Sequence, residues 1–228
     1  MMKNNPEVKG CDFFDVDHTI VDGTTGLQSL ITGIELKVLP LSILYSIPKL
    51  YLQYNFGRFD TRIATQCIHD LKGVPKADVL KLGELNYGKR IRPKIFKEAA
   101  ECIAQRAASG RMIVFVTSSF THLIQPLASY LRVEHVLANA LLYENEMTTG
   151  YLQEPFLFGE DKKIQALAFM EKYGISPKDC SFFTDSFNDL SLLEIVGEPV
   201  AVNPDHRLRK IARARNWKIE TFSEYVNS

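Results

Sequence analysis

Asp15 and Asp17 stand one residue apart in Phe13-Phe14-Asp15-Val16-Asp17-His18-Thr19, where an apolar run stops and a turn begins. In an extended strand alternate side chains share a face, so both carboxylates would project into one small space at the strand's carboxyl end. Two anions that close repel each other. Either one is protonated or a cation compensates both, and Mg2+, with its preference for carboxylate oxygens, answers that need. The spacing therefore suits a metal site with chemistry attached. Taken alone, it suits equally a polar strand end whose carboxylates are solvated or cap a following helix.

The distal sequence separates these readings. The run Met112-Ile113-Val114-Phe115-Val116 ends in the hydroxyl cluster Thr117-Ser118-Ser119, and Ser181-Phe182-Phe183 ends in Thr184-Asp185-Ser186-Phe187-Asn188-Asp189. Between them Lys162 and Lys163 open an amphipathic stretch. In an open parallel sheet, ligand sites form outside the carboxyl ends of the strands, so three strand ends would converge on one crevice.

These groups need elements to carry them. Strands are expected at residues 10–15, 112–116, 136–138, 181–184 and 199–202, and helices at 121–131, 161–173, 190–195 and 205–216. Strands alternating with helices indicate an α/β fold with a doubly wound parallel sheet. Helical periodicity from about 27 to 108 marks an insertion between the first and second strands, with breaks near 54–59 and 72–75. Residues 139–152 read as a hairpin at the sheet's margin.

At 228 residues the chain can bury one ample core, or a core plus a small inserted domain. A formal net charge of zero, without a basic stripe, argues against nucleic acid as a partner. Cys11, Cys67, Cys102 and Cys180 lack metal-ligand spacing and read as small apolar residues of a reducing compartment. No apolar signal core precedes Gly10, so a cytoplasmic protein is expected. Residues 27–56 are unusually apolar, but the charge-free part between Lys37 and Lys49 is too short to span a bilayer and Pro40 and Pro48 interrupt it. Short packed helices are expected there, with peripheral contact between one face and a membrane surface as the alternative.

The ordered set Asp-x-Asp-x-Thr, apolar run to Thr/Ser, Lys, and apolar run to Asp-x-x-x-Asp resembles the haloacid dehalogenase superfamily, and more narrowly its phosphoserine phosphatase-like branch. The resemblance extends from about Gly10 to Trp217 and includes the tail Val196-Gly197-Glu198-Pro199 to Asp205. It implies a Rossmann-like core of residues 1–22 and 92–228 and an inserted all-helical cap of residues 23–91. It also implies a Mg2+-dependent phosphatase that forms an aspartyl-phosphate, acting on a small-molecule phosphomonoester: a phosphorylated metabolite or a phospholipid head group. By the same resemblance Asp15 is the nucleophile and Asp17 the general acid and base. Mg2+ is implied to bind Asp15, Asp185 and the backbone carbonyl of Asp17, with Asp189 orienting metal-bound water. Thr117 and the neighbouring Ser118 are implied to hold phosphoryl oxygens, Lys162 to counter their charge, and Asn188 to lie near substrate.

The sequence departs from that branch in places. Threonine stands at 117 where serine is usual, and Ser118-Ser119 replace two glycines, so loop shape should differ. Lys162 is preferred to Lys163 because its distance to the Gly174 turn matches the branch better. Thr24 occupies the place of a glutamate that recognises the ammonium of phosphoserine, so phosphoserine is not expected as the preferred substrate. His18 and His122 read as packing residues. The rivals are phosphoryl transfer to an acceptor other than water, a non-enzymatic phosphoacceptor of the receiver type, and a binding protein that kept the fold and lost the activity.

Overall fold

A strand buried on both faces needs apolar groups on both, and Cys11–Phe14, β1, is buried along its whole length. The computed structural model describes residues 9–39 and 68–226. β1 lies between Met112–Phe120, β2, and Cys180–Thr184, β6. Beyond β2 comes His135–Asn139, β3, and beyond β6 come Glu198–Val202, β7, and Lys218–Glu220, β8. The sheet order is β3-β2-β1-β6-β7-β8 with every neighbouring pair parallel. The chain thus winds outward from β1 first one way and then the other, which is the doubly wound sheet expected from the sequence.

Two apolar clusters fill the faces. On one, Phe14, Phe115, Phe183 and Val200 meet Lys97–Ala108, α3, through Ala99 and Ile103, and Thr121–Leu131, α4, through Ile124 and Leu127. On the other, Phe13, Val114, Phe182 and Ala201 meet Glu160–Tyr173, α5, through Ala166 and Met170. The short Leu190–Leu193, α6, and His206–Ala214, α7, complete that face. Phe14 and Phe183 stack across β1 and β6 with ring centroids 4.3 Å apart.

Some boundaries differ from expectation. β2 runs on through Thr117–Ser119 to Phe120, and its register with β3 shifts between Val116 and Phe120, so the hydroxyl cluster sits on an irregular strand extension. The helix expected over 190–195 covers only Leu190–Leu193, after a 3-10 turn at Phe187–Asp189. β8, unanticipated, is a three-residue edge strand too short to show a period.

The chain leaves the core and returns side by side. Asp22 N–H donates to the Lys94 carbonyl at 2.9 Å, Phe96 N–H to the Ile20 carbonyl at 2.9 Å, and Val21 bridges Ile95. Between these points lie Thr25–Glu35, α1, and Lys76–Asn86, α2, the latter running on into helical turns at Tyr87–Ile91 and Arg92–Lys94. α1 buries Thr25, Ser29, Thr32 and Gly33 rather than a greasy stripe. Asn86 of α2 answers them: its Oδ1 accepts from Thr32 Oγ1 at 3.0 Å and its Nδ2 donates to the Thr25 carbonyl at 3.4 Å. The hairpin of Leu141–Glu144, β4, and Met147–Leu152, β5, packs beside α2 through Leu141, Ile68 and Val79. Among the described residues no helix is long and apolar enough to cross a membrane. Residues 40–56 of the apolar stretch, with Pro40, Pro48 and the expected break at 54–59, lie outside the described residues.

Candidate active site

The carboxyl ends of β1, β2 and β6 meet at one crevice. Asp15 continues the ladder, its N–H donating to the Phe183 carbonyl at 2.9 Å. The chain then coils so that Ile20 and Val21 N–H both donate to the Val16 carbonyl, with His18 at φ 58°. This turn keeps Asp15 and Asp17 at 4 % and 7 % exposure. Gly159, at φ 55°, precedes α5 and lets Lys162 enter the crevice from the first helical turn. Lys162 Nζ lies 2.9 Å from Asp15 Oδ1 and 2.9 Å from Asp189 Oδ2. Lys163 points outward to Glu160 at 2.7 Å. Asp189 Oδ2 also accepts from the Thr184 hydroxyl at 2.7 Å. Asn188 lies on the same 3-10 turn, its N–H donating to Ser186 Oγ.

Thr25 and Asn139 carried no signal of their own, and the partners of Ser119 and Thr19 were not readable locally. Thr25 N–H donates to Asp17 Oδ1 at 2.9 Å, and its hydroxyl lies 2.7 Å from that of Ser119. Ser119 N–H in turn donates to Thr117 Oγ1 at 3.1 Å, which leaves the threonine's own proton to donate elsewhere. The first turn of α1 therefore grips both Asp17 and the hydroxyl cluster. Asn139 Nδ2 donates to the Ser118 carbonyl at 2.7 Å, pinning the irregular end of β2. Thr19 Oγ1 accepts from the Asp185 N–H at 3.0 Å, so the threonine of Asp-x-Asp-x-Thr ties the two acidic strand ends together.

Negative charge exceeds positive here, and the acidities register it. Burial pushes the Asp15 carboxyl up to about 7, against the pull of Lys162, with the Asp189 charge adding to the rise. Burial likewise takes Asp17 up to about 6, opposed by the hydrogen bond from Thr25. Asp185 is held well above the usual carboxylate range by burial and then by the charges of Asp15 and Asp189. Burial works against the charge of Lys162, but the Asp15 and Asp189 carboxylates outweigh it and hold its pKa above the ordinary ammonium value.

A divalent cation fits this arrangement. Asp185 Oδ1 is buried without a hydrogen-bond partner, a costly state that a cation would relieve. Among the described residues no three His, Cys, Asp or Glu side chains form a metal cage, and the Asp17 carboxylate is occupied by Thr25. An ion would draw on two carboxylates, a main-chain carbonyl, water and substrate, the sparse all-oxygen set characteristic of Mg2+.

Beyond Asp17 the crevice opens into a cavity of about 150 Å³. Its polar margin holds Asp17, Thr24, Ser118 and Ser119, and leucines and phenylalanines line most of the rest. Thr24 Oγ1 lies 3.2 Å from His18 Nε2. His122 lines the cavity instead of lying within the core, and burial lowers its pKa to about 4.

Comparison with known proteins is consistent with this geometry. The model of the haloacid dehalogenase-like hydrolases matches residues 13–194. The phosphoserine phosphatase SerB1 of Mycobacterium tuberculosis is 29% identical over 92% of this chain and 70% of its own length. A probable phosphatase of the same species is 29% identical over 97% of this chain and 78% of its own length. A Bordetella pertussis crystal structure of unknown function superposes with a TM-score of 0.82 at 25% identity, covering 92% of this chain and 97% of that one. A phosphoserine phosphatase captured as a phospho-aspartyl intermediate analogue shares the fold, with a TM-score of 0.69 at 20% identity and 97% of both chains covered.

Proposed function

This chain belongs to the haloacid dehalogenase-like hydrolases and is a phosphatase, and we propose that it cleaves a small phosphomonoester through a covalent phosphoryl group on Asp15. The observation that carries this reading is the Lys162 ammonium 2.9 Å from both Asp15 and Asp189. It orients these two carboxylates and leaves Asp17 and Asp185 without a positive charge of their own. Because Lys162 engages Oδ1 of Asp15, Oδ2 is the oxygen left to attack phosphorus. As that bond forms the ester P–O bond breaks, and Asp17 passes its proton to the departing alkoxide. A pKa of about 6 keeps a useful protonated fraction at neutral pH. In the second half Asp17 takes a proton from water while the water oxygen attacks phosphorus. The bond to Asp15 breaks, inorganic phosphate leaves, and both carboxyl groups return to their starting states.

Thr117 and the Ser118 amide would donate to phosphoryl oxygens, and Lys162 would balance their charge. Mg2+ held by Asp15, Asp185 and the Asp17 carbonyl would supply the positive charge that the crevice lacks. Asp189, braced by Thr184 and Lys162, keeps the lysine in place. Residues 23–91 would act as the cap over the crevice, with Asn188 at the substrate's edge.

The test is Asp15→Asn in the purified protein. Hydrolysis of an aryl phosphate should fall on the order of 10^4-fold or more with the fold intact by circular dichroism. Excess chelator should silence the wild type and Mg2+ should restore it; unchanged turnover in the variant would sink the nucleophile assignment.

A further inference from the structure

The described wall of the 150 Å³ cavity beside Asp17 contains no lysine or arginine, and its only carboxylate is Asp17 itself. Of its neutral polar groups, Ser29, Thr24 and Ser119 already have partners within the chain, and the Ser118 hydroxyl and the His122 imidazole carry no charge at neutral pH. Ser29 Oγ donates to the Gly26 carbonyl, Thr24 meets His18, and Ser119 meets Thr25. Against these described residues a carboxylate on the leaving group would be stripped of water with no cation to pair it, and an ammonium would meet only Asp17, which already accepts from Thr25 N–H and is the proposed proton donor. Most of the described wall is apolar, with Leu27, Leu30, Val79, Leu82, Leu141 and Phe156 prominent. A protein cavity of about this volume with a similar lining stays dry and accepts a benzene-sized guest. Because the cavity begins at the proposed general acid, its occupant is whatever is attached to the ester oxygen that Asp17 protonates.

We infer that this cavity is the leaving-group subsite, and that the substrate is the phosphomonoester of an alcohol bearing a ring-sized apolar group, aliphatic or aromatic. The inference rests on the phosphatase mechanism proposed above and adds the chemistry of the alcohol. Gly26 provides a way to fill the space, because a Cβ added there meets nothing within 4 Å and the residue lines the cavity.

The experiment compares kcat/KM for ethyl, butyl, hexyl and 2-phenylethyl phosphate and for phosphoserine. Burying each methylene should raise kcat/KM about three- to fourfold, on the order of 10^2-fold from ethyl to hexyl. Phosphoserine should fall far below hexyl phosphate. Preference between the hexyl and phenylethyl arms distinguishes an aliphatic from an aromatic alcohol. In Gly26→Leu, and separately in Leu30→Trp, the hexyl-to-ethyl ratio should collapse toward one. A flat wild-type series, or phosphoserine outrunning hexyl phosphate, would overturn the apolar subsite even where Asp15-dependent turnover of ethyl phosphate persists. Turnover that survives Asp15→Asn would instead overturn the mechanism on which the inference stands.

Discussion

Among the described residues Asp185 is a carboxyl group with one oxygen buried and unpartnered beside two other carboxylates. Its carboxyl pKa is raised by folding, so the folded state holds protons that the unfolded chain gives up. For such a group the penalty is absent below the unfolded value of 3.8, grows as pH rises from there toward the folded value, and is at its full size above it. Asp15, raised to about 7, adds to the same window. Asp185→Asn should therefore stabilise the metal-free protein at pH 8, seen as a rise in Tm, while abolishing activity. The gain should shrink toward pH 4. Adding Mg2+ should raise the wild-type Tm and leave that of the variant nearly unchanged. Thermal melts in chelator at several pH values measure this, and a gap between variant and wild type that ignored pH would contradict the electrostatic account.

Between elements, α2 packs closely against α4. A Cβ on Gly83 would lie 1.9 Å from the His122 carbonyl oxygen, so the helices approach as only glycine allows. Leu82 and His122, on either side of this contact, both line the cavity. Alanine normally favours a helix by about 1 kcal/mol over glycine, yet here it must push the helices apart. Gly83→Ala should thus destabilise by about 1–3 kcal/mol in urea melts and lower kcat/KM. A stabilised variant would show that the approach is looser than described. Thr25 belongs to the same scale, since one residue of α1 joins Asp17, Ser119 and, through its carbonyl, Asn86 of α2.

Across the whole molecule, the sheet is pinned at the end opposite the crevice by a polar cluster of partly exposed side chains around the buried Asp12. Asp12 is fully buried in β1 and accepts from Arg111 Nε at 2.8 and 2.7 Å and from Arg106 at 3.2 Å. Arg106 reaches on to Glu198 at 2.8 Å and Ser181 at 3.0 Å, so β1, β6, β7 and α3 share one network. Removing one member strands the others, which costs far more than replacing the whole set with apolar groups. Asp12→Ala should lose about 3–5 kcal/mol of unfolding free energy by denaturant titration while the folded fraction keeps its kcat. A lowered kcat per folded molecule would mean that this end communicates with the crevice.

The doubly wound sheet was legible because a strand covered on both faces is rich in apolar groups, as Met112–Val116 and the Phe182-Phe183 pair are. The residues that meet in the crevice were legible for a related reason: hydroxyls, amides and carboxylates stand where those runs stop. β8 was not, because three residues of Lys-Ile-Glu carry no period. Nor was Asp12, whose charge in a central strand makes sense only beside Arg106 and Arg111, far along the chain. Thr25 and Asn86 were hidden in the same way, since nothing local distinguishes a threonine that meets a serine 94 residues away from one that faces water. Adjacent Lys162 and Lys163 differ only in the direction each takes from α5, one inward to two carboxylates and one outward to Glu160. Local pattern determines which residues are buried; which group each buried residue meets, and how polar the cavity between them is, depends on contacts that exist only once the helices close on the sheet.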